Sequence, residues 1–186
     1  MDIDYNISKF IGVYTNVVSQ SLSDRVMKSN LNFEKSGFAR DGSNLSLEDS
    51  NERVNMDEFW IRNTHELYEP LKKCFIDSIE MYMADHPYFS VQHVTDFRIN
   101  RYSEGGFMSK HYDSIHHSHG QHYGYPHATV LLYLNDDYEG GEFTVATKRI
   151  KPKARSSVVF PSNFMFPHGA EVVTKGTRWS IVSWLM

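Results

Sequence analysis

The sequence is short of cysteine, of long apolar runs and of positive charge, and each shortage excludes a class of protein. The single Cys74 cannot form an intrachain disulfide, so the chain is not a disulfide-rich secreted scaffold and suits a reducing compartment. No stretch approaches the roughly 20 apolar residues of a membrane-spanning helix. The acidic start MDIDYNISKF also lacks the apolar segment of a secretory signal. We therefore expect a soluble cytoplasmic protein that does not enter a membrane.

Basic side chains are too few to form a nucleic-acid-binding face. The chain has 19 basic and 23 acidic side chains, and its formal net charge is −4. Binding through phosphate contacts needs a dense basic surface, so no nucleic-acid partner is expected. The 186 residues are 40% hydrophobic and 14% aromatic, enough to bury one core. We expect a single domain over residues 1–186, with a supporting N-terminal part to about residue 89 and a β-rich core over about 90–186.

The two halves of the chain differ in their hydrophobic pattern. Apolar residues recur at helical spacing from about Glu66 to Ala84, and His86-Pro87 ends this predicted helix. Before it, FIGVY is strand-like, SLSDRVMKS could form a helix, and GFARDGSNLSLEDSNERVN is polar and loop-rich. From Ser90 onward, short β-rich runs alternate with turns: VTDFRINRY, GFMSKHYD, ATVLLYLN, GEFTVAT, SSVVFPS and TRWSIVSWL. This pattern is typical of a β-sandwich or barrel with helices packed outside it.

Three residues have the chemistry of a metal site. His111 and Asp113 are two apart, so on a strand both side chains would point to the same face. One further histidine would complete a two-histidine, one-carboxylate triad, which leaves positions open on Fe(II). His168, in FPHGAE, is the candidate and must come from a different strand. An HxD alone is weak support, because a chain rich in these residues produces one by chance.

Arg178 strengthens the metal hypothesis. In TRWSIVSWL, alternation places Arg178, Ser180, Val182 and Trp184 on one face of the predicted strand. An inward arginine is costly unless it meets an anion, and its planar fork suits a carboxylate. A position at the solvated rim of the sandwich is the ordinary alternative.

The motifs HYD, HGAEVVTKGTRWS and TVLLYLNDDYEGGEF together resemble those of the Fe(II)- and 2-oxoglutarate-dependent dioxygenases, in particular the prolyl 4-hydroxylase-like branch. The resemblance covers roughly Gln92 to Leu185 and implies a double-stranded β-helix core of the jelly-roll or cupin type, with N-terminal helices packed on its outer sheet. It also implies Fe(II), 2-oxoglutarate and O2, with ascorbate as a candidate reductant. The implied reaction couples decarboxylation of 2-oxoglutarate to succinate and CO2 with hydroxylation of an unactivated C–H bond.

The resemblance assigns roles to individual residues. His111, Asp113 and His168 become the catalytic iron ligands, and Arg178 with Ser180 would hold the distal carboxylate of 2-oxoglutarate. The tyrosines Tyr102 and Tyr133 match positions that contact this cosubstrate, and a core aromatic with its hydroxyl at the edge is the alternative for each. Trp184 and His127 are assigned to the substrate, and core packing is the alternative for Trp184.

One departure from the branch affects the substrate. Prolyl hydroxylases usually carry an arginine close to the peptide, seven residues before the tyrosine of LLYLN, and here that position is Pro126. A prolyl residue in a protein or peptide is the leading substrate, and a free amino acid or other small molecule is the alternative. A non-enzymatic metal-binding β-sandwich is a third hypothesis, against which the anion-binding Arg178 argues.

More than half of the ten histidines lie in KHYDSIHHSHGQHYGYPH, from Lys110 to His127. Apart from His111, they occupy the connection to the next core strand, which the resemblance places over the mouth of the pocket. Two interpretations of this connection remain, a solvated polar loop and a loop that closes over bound substrate. A second metal site is not expected, since no pair there has helical i, i+4 spacing or an added carboxylate.

Overall fold

The structure is a computed structural model that describes residues 6–37, 52–114 and 125–186. A 3-10 helix at Ile7–Phe10 precedes two α-helices, α1 (Gln20–Lys28) and α2 (Tyr68–Asp85). The strands of the described residues are β1 (Gly12–Tyr14), β2 (Glu34–Lys35), β3 (Val54–Asn55), β4 (Asp57–Ile61), β5 (Phe97–Tyr102), β6 (Phe107–His111), β7 (Ala128–Tyr133), β8 (Glu139–Gly140), β9 (Phe143–Val145), β10 (Lys148–Ile150), β11 (Ser156–Pro161), β12 (His168–Ala170), β13 (Val173–Lys175) and β14 (Arg178–Leu185).

Two antiparallel sheets form the core. The larger has the order β1-β11-β7-β14-β5-β4-β2, and the smaller has the order β10-β9-β12-β6-β3. A two-stranded ribbon, β13-β8, lies apart from both. Strands distant in sequence are therefore neighbours, as in a jelly roll, and the double-stranded β-helix expected from the sequence is confirmed.

The two faces of the larger sheet have separate tasks. On β7, Val130 and Leu132 pack with α2 in one apolar cluster, whereas Leu131 and Tyr133 belong to a second cluster on the opposite face. This alternation follows from the two-residue period of a strand. One face thus carries the supporting helices, and the other is left to line a cavity between the sheets.

The long helix predicted from about Glu66 to Ala84 is present as α2, which begins and ends within two residues of the expectation. Pro70 lies in its first turn, where a missing N–H is tolerated. Phe75 anchors the helix, because its ring is fully buried and stacks on Phe97 at a centroid distance of 4.5 Å. The shorter α1 is capped by Ser19, whose side chain accepts a hydrogen bond from the backbone N–H of Leu22.

The predicted strands occur at each of the six β-rich runs, and FIGVY contributes β1. Strand β4, DEFWI, has no counterpart among the predictions, although its aromatic and β-branched residues are a strand signal. It extends the larger sheet beside β5. Part of the polar stretch before it, residues 38–51, lies outside the described residues. Within the described residues, no helix is both long and apolar enough to cross a membrane.

Candidate active site

His111 and His168 lie side by side on adjacent strands of the smaller sheet. They are direct partners in the antiparallel pairing of β6 with β12, and their ring centroids are 4.3 Å apart. Asp113 completes the group, with Oδ1 3.3 Å from His111 Nε2 and Oδ2 3.3 Å from His168 Nε2. One ligand atom from each of the three residues lies within 4.8 Å of the others. The structure therefore brings together the three residues that the sequence predicted.

Asp113 reaches this position by a different route from the one predicted. Strand β6 ends at His111, so Asp113 lies just beyond it rather than on its pleat. Its backbone N–H donates to the carbonyl of Ser162 at 3.1 Å, and its carboxylate Oδ2 accepts a hydrogen bond from the Thr129 hydroxyl at 2.6 Å. A hydrogen bond of 2.8 Å joins the Thr129 and Ser162 hydroxyls. Thr129 on β7 and Ser162, the residue after β11, thus fix the position of Asp113 beyond the end of β6.

Backbone carbonyls fix the orientation of both imidazoles. Nδ1 of His111 lies 2.9 Å from the carbonyl of Ser109, and Nδ1 of His168 lies 3.1 Å from that of Phe166. A carbonyl can only accept, so Nδ1 is a donor in both rings, and Nε2 is the nitrogen on the Asp113 side. Metal-binding histidines in proteins are commonly oriented in this way.

The electrostatics of the triad favour the protonation states that a metal needs. Burial, together with the neighbouring His168, lowers the pKa of His111, although Asp113 acts in the opposite direction. Burial alone would raise the pKa of Asp113, but His168 and His111 hold it well below the usual range. These shifts favour the neutral imidazole of His111 and the ionised carboxylate of Asp113, and both are donors for Fe(II).

Arg178 is the second component of the site. Its side chain is buried, and among the described residues its Nε and Nη1 have no hydrogen-bond partner. Nη2 donates to the Tyr133 hydroxyl over a long 3.4 Å. Burial would lower its pKa, but the surrounding tyrosines more than offset this, so the side chain remains a cation. A buried cation with orphaned donors is costly, and an anionic ligand would satisfy it.

The residues around Arg178 complete this anion site. The guanidinium lies over the rings of Tyr102 and Tyr133 at 4.6 and 5.2 Å. The buried hydroxyl of Ser180 has no hydrogen-bond partner among the described residues. Burial raises the pKa of Tyr133 despite Arg178, so its hydroxyl keeps its proton and can donate. These orphaned groups fit a bound carboxylate.

Glycine is required where the GGE turn meets Arg178. Gly141 has a positive φ of 61°, and a Cβ there would lie 2.9 Å from a Val173 methyl and 3.2 Å from Cδ of Arg178. A larger residue would therefore be strained and would displace the arginine stem.

The turn also carries Tyr138, a buried residue near Arg178 that was not singled out from the sequence. Its only signal was its place within NDDYEGGEF.

The triad and the anion site line one cavity between the sheets. Its lining includes all four residues that the sequence placed on one face of β14, namely Arg178, Ser180, Val182 and Trp184. Arg178 is 1% exposed, so it points inward as predicted, and the alternative of a solvated rim position is wrong. Thr129 and Arg98 also line the cavity, and the sequence analysis named neither. Both contribute through contacts that form only when distant strands pair.

His127 lies elsewhere. It is exposed and lines a separate groove beside the end of α2, together with Phe10, Tyr82 and His86. It is not among the residues that line the cavity of the triad, and its assignment to substrate stays a prediction. The other loop histidines, His116, His117, His119 and His122, lie outside the described residues.

The fold and the site together define a class. A two-histidine, one-carboxylate triad in a double-stranded β-helix, with a buried anion-binding arginine in the same cavity, is the arrangement of a mononuclear iron oxygenase that uses a keto-acid cosubstrate. Comparison with known proteins supports this class. Residues 97–186 match the model of the 2OG-Fe(II) oxygenase superfamily. The family uses Fe(II), 2-oxoglutarate and O2.

The sequence is similar to curated prolyl 3-hydroxylases over a short segment. It is 43% identical to prolyl 3-hydroxylase 2 of Homo sapiens over 63 residues, which cover 30% of this chain and 9% of that protein. Prolyl 3-hydroxylase 3 of Homo sapiens is 39% identical over 69 residues, which cover 33% of this chain and 9% of that protein. The match thus spans less than a tenth of either relative.

Solved structures share the fold over nearly the whole chain. The viral collagen prolyl hydroxylase of Paramecium Bursaria Chlorella virus-1, solved as a 2OG complex, has a TM-score of 0.70 at 17% identity, covering 95% of each chain. A prolyl hydroxylase of Trichoplax adhaerens, in complex with a hypoxia inducible factor peptide fragment, has a TM-score of 0.71 at 18% identity, covering 96% of this chain and 84% of that one. At these identities the likeness establishes the fold alone.

Proposed function

We propose that the protein is an Fe(II)- and 2-oxoglutarate-dependent dioxygenase that hydroxylates a prolyl residue in a protein or peptide. The observation that carries the proposal is the shared cavity, in which a metal-ligand triad and a buried, unsatisfied arginine face the same space. A structural metal site would need no second, anionic ligand and would be closed on all sides. The non-enzymatic alternative is therefore disfavoured.

Each part of the site has a distinct task. His111, Asp113 and His168 would hold Fe(II) from one side, through two Nε2 atoms and a carboxylate oxygen. Arg178, with the hydroxyls of Ser180 and Tyr133, would hold the distal carboxylate of 2-oxoglutarate by charge-assisted hydrogen bonds. Iron and 2-oxoglutarate together supply the oxidising chemistry that consumes O2 and releases succinate and CO2.

The remaining residues control geometry and solvent. Tyr102 covers one face of the Arg178 guanidinium and so keeps water from it. Thr129 fixes the carboxylate of Asp113. Trp184, which is 2% exposed, presents an apolar wall to the same cavity. Water exclusion matters because a dry cavity strengthens each charged contact within it.

The similarity to prolyl 3-hydroxylases, together with the fold of the structural neighbours, supports a prolyl substrate. A free amino acid or another small molecule is the alternative, favoured by Pro126 at the position where the branch usually has an arginine. Product analysis would identify the hydroxylated carbon, since hydroxylation at C3 and at C4 of proline give products that chromatography separates.

The test is conversion of 2-oxoglutarate to succinate by the purified Fe(II)-loaded protein. It is run without further substrate, with free amino acids and with blocked proline-centred peptides. We expect stimulation by peptides and a product heavier by one oxygen atom on proline. Asp113→Ala is the matched control, because it removes the anionic ligand and should abolish turnover. Stimulation by free amino acids alone would contradict the peptide assignment.

Two further features belong to this proposal. Ascorbate would serve as the reductant that returns oxidised iron to Fe(II), and its omission should shorten the linear phase of turnover. A cytoplasmic location, supported by the single Cys74, is tested by cell fractionation.

A further inference from the structure

A second polar cluster lines the cavity beside the triad, and the proposed function gives it no task. Its centre is Arg98 on β5, which lines the cavity together with Asn100 and Trp184. Strand alternation places Arg98, Asn100 and Tyr102 on the same face of the larger sheet. Arg98 thus shares the cavity with the iron ligands but is distinct from the anion site of Arg178.

The guanidinium of Arg98 is held in place from several sides. Its Nε donates to Oδ1 of Asn100 at 2.9 Å, and it lies 5.2 Å from the ring of Trp184 and 5.8 Å from that of Trp60. The side chain is only 12% exposed. An arginine restrained in this way loses little entropy when it binds a ligand.

Glu58 balances the charge of Arg98. Its Oε2 lies 3.5 Å from Nη1 of Arg98, and its carboxylate also accepts from Ser36 Oγ at 2.6 Å and from Trp60 Nε1 at 3.1 Å. The carboxylate is therefore fixed as firmly as the cation. A substrate carboxylate at Arg98 would meet this second negative charge at close range, in a partly desolvated place.

A donor of Arg98 remains for a ligand. Within the described residues, the hydrogen bonds of its guanidinium come from Nε and Nη1, so Nη2 has no protein partner there, and the residue itself lines the cavity. A donor whose charge is already balanced suits a neutral acceptor better than an anion. The main-chain carbonyl of a peptide is such an acceptor, and a free amino acid offers a carboxylate in its place.

We infer that Arg98, backed by Glu58 and stacked on Trp184, is a substrate-binding residue that donates from Nη2 to a main-chain carbonyl next to the target residue. It thereby selects a peptide over a free amino acid. The inference rests on the proposed function and names its substrate class. Prolyl hydroxylases usually carry an arginine near the peptide at the position of Pro126. In this chain Arg98 would supply a cation on the substrate side of the cavity instead.

The test compares Arg98→Gln with the parent on blocked peptides of the form acetyl-Xaa-Pro-Xaa-amide and on free proline. We expect kcat/KM for the peptide to fall about 10- to 100-fold, the range of a hydrogen bond to a charged group. Arg98→Lys keeps the charge but loses the bond to Asn100, so an intermediate loss is expected. Anaerobic binding of 2-oxoglutarate, which the proposed function assigns to Arg178, should match the parent.

Arg101→Gln is the matched control. Arg101 lies on the same strand but on the opposite face, where it pairs with Asp57 and covers the ring of Phe33. Its loss should leave the preference for peptide over free proline unchanged.

The outcomes separate this inference from the proposed function. If the parent hydroxylates peptides and Arg98→Gln does so with unchanged kcat/KM, Arg98 is not a substrate contact and the proposed function stands. Equal losses in peptide turnover and in anaerobic cosubstrate binding would assign Arg98 a merely structural role and overturn the inference. If the parent prefers free proline, and Arg98→Gln impairs that reaction most, the ligand is a carboxylate and the peptide assignment is overturned. If the parent converts no proline compound, both proposals fail.

Discussion

Thr129 is the residue that fixes the only carboxylate of the triad, and its hydroxyl is buried between Asp113 and Ser162. Thr129→Val keeps the shape of the side chain but leaves Oδ2 of Asp113 without its donor. We expect Fe(II) affinity to fall about 10- to 100-fold, as when such supporting contacts are lost at other metal sites. Anaerobic competition with a chelator measures the affinity.

Thr129→Ser is the control for this change, because it retains the hydroxyl and should bind Fe(II) nearly as tightly as the parent. Parent-like iron affinity in Thr129→Val would show that the strand ends alone position Asp113.

The residues that the sequence analysis predicted share one property. His111, Asp113, His168 and Arg178 belong to short motifs whose spacing is readable along the chain. Thr129 and Arg98 carry no such signal, because their partners come from other strands or from the geometry of the sheet. Their importance depends on pairings that only the folded chain forms.

At the scale of elements, a ladder of charges joins three strands at one edge of the larger sheet. Asp57 on β4 pairs with Lys35 on β2 at 2.8 Å and with Arg101 on β5 at 2.9 Å. These residues are direct neighbours in the strand register. Partial burial would raise the pKa of Asp57, but its two cationic partners lower it below the usual value. Cross-strand pairs of opposite charge stabilise a sheet.

The pH dependence of this ladder follows from the sign of the shift. A carboxyl whose pKa is depressed in the folded state contributes stability above its unfolded pKa, and this is lost as the pH falls through the folded value. Asp57→Asn should therefore lower the free energy of unfolding at pH 7 by about 1 kcal/mol. The difference should shrink below roughly pH 4. Urea unfolding at several pH values measures it, and a difference independent of pH would contradict the assignment.

Helices and strands were predictable from the sequence where their apolar residues recur at a regular spacing. Helix α2 and the six long β-rich runs repeat an apolar period that local sequence reveals. Strand β4 was missed because it follows a polar stretch and carries two acidic residues in five. Its stability comes from pairing with β5, which no local pattern encodes.

At the scale of the whole molecule, support and chemistry lie on opposite faces of the larger sheet. Phe75→Ala removes a fully buried ring from the supporting side. It should lower the free energy of unfolding by about 3–5 kcal/mol. The iron affinity of the folded protein should hardly change, since the triad lies beyond the opposite face, where its histidines belong to the smaller sheet. Ile76→Ala, at a neighbouring position that is 40% exposed, should cost far less.

Urea denaturation and anaerobic iron titration of both variants provide the comparison. A large loss of iron affinity in folded Phe75→Ala would show that the two faces are coupled.

The fold class was predictable from the sequence because the order of the motifs specifies a jelly roll. The residues on the substrate side of the cavity were not predictable in this way. The division into an N-terminal support and a β core stays a prediction.

The central claim is that one cavity binds Fe(II) through the triad and 2-oxoglutarate through Arg178. The most direct measurement is titration of the anaerobic Fe(II) protein with 2-oxoglutarate, followed by the visible charge-transfer band that keto-acid chelation produces. Arg178→Ala removes a charge-assisted contact worth about 2–3 kcal/mol in a desolvated pocket, so affinity should fall roughly 30- to 200-fold. Arg178→Lys should lose less, and iron affinity should be unchanged in both variants. An Arg178→Ala protein that titrates like the parent would contradict the account, because the anion site would then lie elsewhere.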